Sequence, residues 1–111
     1  MKISTSSTEN EVVLIEVDGE IDAHTARKLD ETLKDLLAQG HNRLLLDASH
    51  MGFISSAGLR AIVFAQREAS QRGGQVRVCG LNPQARRTFE MAGLDECLHF
   101  SNTRQEAMEG W

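Results

Sequence analysis

The chain has 111 residues, 41% hydrophobic and 25% charged, a balance that suits an ordinary globular fold of one domain (1–111) rather than disorder. Sixteen acidic residues against twelve basic ones leave a formal charge of -4, which argues against a nucleic-acid binder, although Arg86 and Arg87 leave room for a local basic patch. No apolar run approaches the roughly 18 residues of a membrane span, and the opening MKISTSSTEN lacks the apolar core of a signal peptide, so a cytoplasmic protein is expected, with no membrane partner.

In chain order, residues 2–6 suit a short first strand, TEN a turn, and the β-branched run VVLIEV at 12–17 a buried strand that ends at DGE. Leu29, Leu33, Leu36 and Leu37 recur at helical spacing, which predicts a helix over 25–39, capped by His24 or Thr25 and stopped by Gly40. Leu44, Leu45 and Leu46 are apolar on both faces, as a strand covered on both sides requires. ASHMGFI then reads as a loop, followed by a helix over 56–72 with Leu59, Ile62, Val63, Phe64 and Ala69 as its apolar members. Gly73-Gly74 ends that helix, and QVRVCG alternates as a fourth strand. Asn82 is placed to cap a third helix, with Pro83 at its first position and Gly93 past its end. CLHF reads as a last short strand, and Ser101 or Asn102 as the cap of a final helix through Met108. The resulting order, β-β-α-β-α-β-α-β-α, calls for a mostly parallel α/β sheet with right-handed crossovers. Sites in such folds gather where strands hand over to helices, here at GEIDAHT and at the Asp47-to-Gly58 stretch.

Most chemistry is excluded by absence of pattern. Cys79 and Cys97 are too few and too far apart for a zinc or redox motif and read as buried reduced thiols. His24, His41, His50 and His99 show no ligand spacing and read as surface or capping residues, so no metal and no cofactor is expected. FISSAG lacks the G-x-S-x-G elbow of a serine hydrolase, and nothing fixes His50 against either serine. The same stretch is no phosphate loop, since no lysine follows it. What stays open is Ser55-Ser56: either hydroxyl suits a helix cap, and a hydroxyl in a first turn also suits a kinase target, because a helix N-terminus tolerates added negative charge. Gly58 either packs under the loop or lets a large partner approach. Asp22 either caps the coming helix or lines the same edge as Ser56, and Asp47 is expected to bond loop backbone.

Taken together, GEIDAHTA, LLLDASHMGFISSAGLRAIV, the glycine pair before QVRVCGLNP, and ARRTFEMAGLDECL resemble the bacterial anti-sigma factor antagonists, small STAS-domain proteins, from about Val12 to Met108. The resemblance implies the STAS fold, a mixed, mostly parallel sheet of four to five strands with about four helices, and no enzymatic activity. It implies that the unmodified protein binds a serine kinase of the GHKL type that doubles as an anti-sigma factor, and so frees the sigma factor. The kinase would use ATP to phosphorylate the antagonist, and a PP2C-type phosphatase would reverse the mark. The family's stretch Asp-Ser-Ser/Thr-Gly-Leu falls on ISSAGL, with Gly58 and Leu59 as its last two members, Ala57 at its second Ser/Thr position and Ser56 as phosphoacceptor. Ser55 stands where many members carry Asp and is the second choice of acceptor. The partner-binding rim expected is Asp22, His24, Ser55, Ser56, Gly58, Leu59 and Ile62, with Leu59 or Ile62 alternatively core. The alternative function is a non-phosphorylated STAS accessory subunit of a transporter or other assembly. A nucleotide sensor is a third reading that no phosphate loop supports.

Overall fold

The layers follow from alternation within strands. Val13, Ile15 and Val17 point to one face of the sheet and Leu14 to the other; Leu44 and Leu46 oppose Leu45 in the same way. The computed structural model describes residues 1–111. Strand β1 (Lys2–Ser7) is followed by a 3-10 turn (Glu9–Glu11), β2 (Val13–Ile21), α1 (Ala26–Ala38), β3 (Arg43–Ile54), α2 (Ser56–Gln71), β4 (Gln75–Cys79), α3 (Pro83–Met91), β5 (His99–Ser101) and α4 (Arg104–Met108). The five strands lie in chain order; β1 runs antiparallel to β2, and every later neighbour is parallel.

Because each crossover steps the same way across the sheet, right-handed connections put α1, α2 and α3 on one face. There Leu29, Leu33 and Leu37 of α1, Ile62, Ala65 and Ala69 of α2, and Phe89 of α3 close a core of 22 buried residues. Each fully buried leucine or isoleucine in it contributes about 1.5–3 kcal/mol by leaving water. Phe89 meets Phe100 of β5 edge to face at 5.3 Å.

The opposite face carries a smaller cluster, Val12, Leu14, Leu45, Cys79 and Ala107, flanked by Met108 and Trp111. A five-residue helix has little intrinsic stability, so α4 depends on what holds it. Arg77, on β4 and only 8% exposed, donates from Nη1 to the carbonyls of Ala107 and Glu109, both at 2.7 Å, and stacks 4.0 Å from the Trp111 ring centre. Arg104 adds an ion pair to Glu16 at 2.7 Å and a second to Asp47. Asp47 also accepts from the Ser49 hydroxyl at 2.6 Å and the Ser49 amide at 2.9 Å. Burial pushes this carboxyl up, but the Ser49 and Arg104 bonds outweigh burial and hold it below its ordinary value.

Several expectations need correction. DGE does not end the second strand, and ASHMGFI is not a loop: β2 and β3 stay paired through Gly19–Met51 and Ile21–Ile54, with irregularities between Glu16 and Asp18 and between Gly19 and Ile21. The Thr103 hydroxyl, not Ser101 or Asn102, caps α4, accepting from the Glu106 amide at 3.1 Å. Thr25 occupies the cap position of α1 without a side-chain cap bond; Asp22 supplies the bonds instead. Phe64 is not core but 42% exposed, and Cys97 is exposed whereas Cys79 is buried. Burial, with Asp47 nearby, raises the Cys79 thiol to about 11, which leaves it an inert packing group. Arg86 lies 4.4 Å from the Phe100 ring centre, so only Arg87 of that pair presents its charge freely.

Candidate functional site

The ends of β2 and β3 bring the two predicted turns together. Ile21 and Ile54 are register partners, both buried, and the Ser55 amide donates to the Ile21 carbonyl at 2.8 Å. The residues that follow them, Asp22 after β2 and Ser55-Ser56 after β3, therefore leave the sheet at the same edge. Asp22 is exposed and accepts on Oδ1 from the Thr25 amide at 2.8 Å, the Thr25 hydroxyl at 3.1 Å and the His24 amide at 2.9 Å. The Thr25 bonds, chiefly that from its amide, hold the carboxyl below its ordinary value. The turn thus presents a fixed negative charge, with the exposed His24 beside it.

The two serine hydroxyls divide their roles. Ser55 has extended backbone (φ −81°, ψ 169°), and its Oγ accepts from the Gly58 amide at 3.2 Å, which makes it the cap of α2. Ser56 is the first helical residue, is exposed, and its hydroxyl bonds to no group of the protein. No histidine or carboxylate is hydrogen-bonded to Ser56 Oγ to activate it as a nucleophile. No group of three or more His, Cys, Asp or Glu side chains is placed to hold a metal.

Gly58 and its neighbours lie under this edge. A Cβ on Gly58 would stand 2.8 Å from both Ile21 Cγ2 and Ile54 Cγ1, so the absent side chain answers a packing demand inside the protein. Leu59 (6% exposed) and Ile62 (0%) belong to the core, which decides for the alternative reading of both. Ile62 therefore offers no surface to a partner. Leu59 lines a groove of about 470 Å³ between α2 and the end of α3, together with Ser56, Arg60, Val63 and Phe64 of α2 and with Leu94 across it. Arg60 and Phe64 also border a second groove, between α2 and α1, where Lys34 lies 5.2 Å from the Phe64 ring centre.

A family model for the STAS domain matches residues 4–107. The chain belongs to the STAS domain family. Among proteins of this family, BtrV of Bordetella bronchiseptica, named as an anti-sigma factor antagonist, is 30% identical over 91 residues, covering 82% of this chain and 78% of its own. The anti-sigma-B factor antagonist of Listeria monocytogenes is 29% identical over 106 residues, 96% of this chain and 93% of its own. These relatives are named as regulatory antagonists, not as enzymes. A crystal structure of an anti-sigma factor antagonist from Thermotoga maritima superposes with a TM-score of 0.90 at 25% identity, covering 96% of this chain and 92% of that one. The Bacillus protein SpoIIAA in its phosphorylated form shares the fold, with a TM-score of 0.76 at 21% identity and 97% of each chain covered.

Within the STAS fold, the structure brings Asp22, His24, Ser55 and Ser56 to one accessible edge and leaves Gly58, Leu59 and Ile62 beneath it. Sequence reasoning missed Arg60, Phe64 and Phe53, the last 48% exposed beside the serines. The signal for two of them was present: Ser56, Arg60 and Phe64 repeat at i, i+4, i+8, out of phase with Ile62, Ala65 and Ala69.

Proposed function

We propose that this STAS protein is an anti-sigma factor antagonist of the cytoplasm, a binding module that engages an anti-sigma factor in its unmodified state and is switched off by phosphorylation of Ser56. The observation that carries this reading is the free, exposed Ser56 hydroxyl beside a neighbour already committed to capping. The names of its relatives support the antagonist role. The partner is an anti-sigma factor that is itself a serine kinase of the GHKL type, and a PP2C-type phosphatase restores the active form. In the modifying step Ser56 Oγ bonds to the γ-phosphorus of ATP as the bond to the β–γ bridging oxygen breaks; ADP leaves, and the hydroxyl proton passes to a base of the kinase. The accessible rim is Asp22, His24, Ser55 and Ser56, with Leu59 contributing only where it lines the groove. A phosphate adds about −1.5 to −2 charges at the edge that also carries Asp22, and burying that charge against a partner is costly.

The test is calorimetry of wild type and Ser56→Asp with the cognate kinase. Ser56→Asp should keep its circular dichroism spectrum and melting temperature within a few degrees while losing at least tenfold in affinity. Equal affinity would end the switch reading. A phosphopeptide map that puts the mark on Ser55 would overturn the choice of acceptor alone.

A further inference from the structure

Arg60 is one turn beyond Ser56 on the same wall of the α2–α3 groove. Side chains at i and i+4 of a helix stand about 5–6 Å apart at Cβ, within reach of an arginine. Arg60 is exposed and takes part in none of the three ion pairs of the protein. Asp30 of α1, which lines the second groove with Arg60, is already bound to Lys34 at 2.9 Å. Glu68, on its own helix, is eight residues away, and Arg67 further along the groove carries the same sign as Arg60. The groove is also lined by Leu59, Val63 and Leu94, whose side chains offer a guanidinium no acceptor. A cation without an internal partner thus lies next to the one hydroxyl in the first turn that is free to be modified.

We propose that Arg60 is the counter-ion of a phosphate carried on Ser56. This rests on the reading of Ser56 as the modified residue. Arginine suits the task because its planar fork donates to two phosphate oxygens at once. In the unmodified protein the same side chain borders both grooves of α2 and is free to meet an acidic group of a partner. Once phosphate is present, Arg60 is drawn toward position 56. Modification therefore changes the surface in two ways: it adds negative charge at the helix start and takes away the cation one turn on.

Phosphoserine installed at position 56 during synthesis tests this without any kinase. The second phosphate pKa, ordinarily about 6, is read by phosphorus NMR in wild type, Arg60→Gln, Arg60→Lys and Arg67→Gln. The expected result is a phosphate pKa about 0.3 pH units lower in wild type than in Arg60→Gln, the size of an exposed i, i+4 pair. Arg60→Lys should recover part of the gap, Arg67→Gln should match wild type, and about 1 M salt should close the gap. Equal values in wild type and Arg60→Gln, or an equal shift from Arg67→Gln, would overturn the assignment. Failure of the parent reading shows separately, as protein from its own cells carrying no phosphate at Ser56 while the installed phosphate still senses Arg60.

Discussion

Gly58→Ala sets two effects of opposite sign against each other. In a solvent-facing helix, Gly to Ala stabilises by about 1 kcal/mol, because alanine loses less backbone freedom on folding. Here the added methyl would arrive 2.8 Å from Ile21 Cγ2 and from Ile54 Cγ1, and 3.3 Å from Ile54 Cδ1. Ordinary carbon contacts lie near 3.5–4.0 Å, so two contacts are too close by roughly 0.7 Å or more. Neither of those atoms is the end of a flexible chain, and both isoleucines are fixed in the core as register partners of β2 and β3. Overpacking of this kind costs about 1–3 kcal/mol. Taking the middle of that range, about 2 kcal/mol, against the gain of about 1 kcal/mol leaves a net destabilisation of about 1 kcal/mol, or a melting temperature lower by about 4–8 °C for a domain of this size. Urea melts followed by circular dichroism measure it, and the penalty should shrink in an Ile54→Ala background, where one of the two obstacles is removed. A Gly58→Ala protein as stable as wild type, or more stable, would refute the packing account of this glycine.

Ser55→Ala should lower stability by about 1 kcal/mol through loss of the cap on the Gly58 amide, whereas Ser55→Asp, which keeps an acceptor, should cost less; thermal melts of the two variants decide. Arg77→Ala should cost about 2–3 kcal/mol by orphaning the carbonyls of Ala107 and Glu109 and freeing Trp111, and should raise amide exchange in α4 before it does so in α2. Asp47 has its folded pKa held below the ordinary carboxylate value of 3.8, so the stability it contributes is complete above the unfolded value and is lost as pH falls through the folded one. Wild type should therefore lose more stability than Asp47→Asn between about pH 4 and pH 2 in denaturant melts, and identical acid profiles would exclude Asp47 as a contributor.

Helical and strand periodicity carried the element order, because Leu29–Leu33–Leu37 and Val13–Ile15–Val17 bury one face each by spacing alone. It failed where tertiary pairing overrides local preference. Ser49, His50 and Gly52 are poor strand formers, yet they lie in β3 because the extended end of β2 runs beside this stretch. The T-x-x-E pattern at Thr103–Glu106 signalled the cap of α4 and was readable in advance; the clamp from Arg77 was not, since it joins positions 30 or more residues apart. At the site, adjacency of Ser55 and Ser56 was evident, but their division of labour needed the backbone. Gly58 was ambiguous for a related reason: its motif position is visible in sequence, and the two isoleucines beneath it are visible only in three dimensions.

That division bears on how a switch can sit on a helix the core depends on. α2 anchors itself through Leu59, Ile62, Ala65 and Ala69, all of which begin beyond the first turn. Ser55 holds the turn that aims those residues, is half-buried, and has its oxygen engaged. A phosphate there would have to keep its bridging oxygen on the Gly58 amide while displacing what lies around it. Ser56 carries neither burden: it is exposed and caps nothing, and a phosphate on it would gain about 0.3–1 kcal/mol from the helix N-terminus instead of opposing it. On the proposed reading, the same helix would keep its packing with or without a phosphate on Ser56 while its surface changes charge. The proposed switch requires this, and if either serine is the acceptor it favours Ser56 over Ser55 on energetic grounds independent of the family motif.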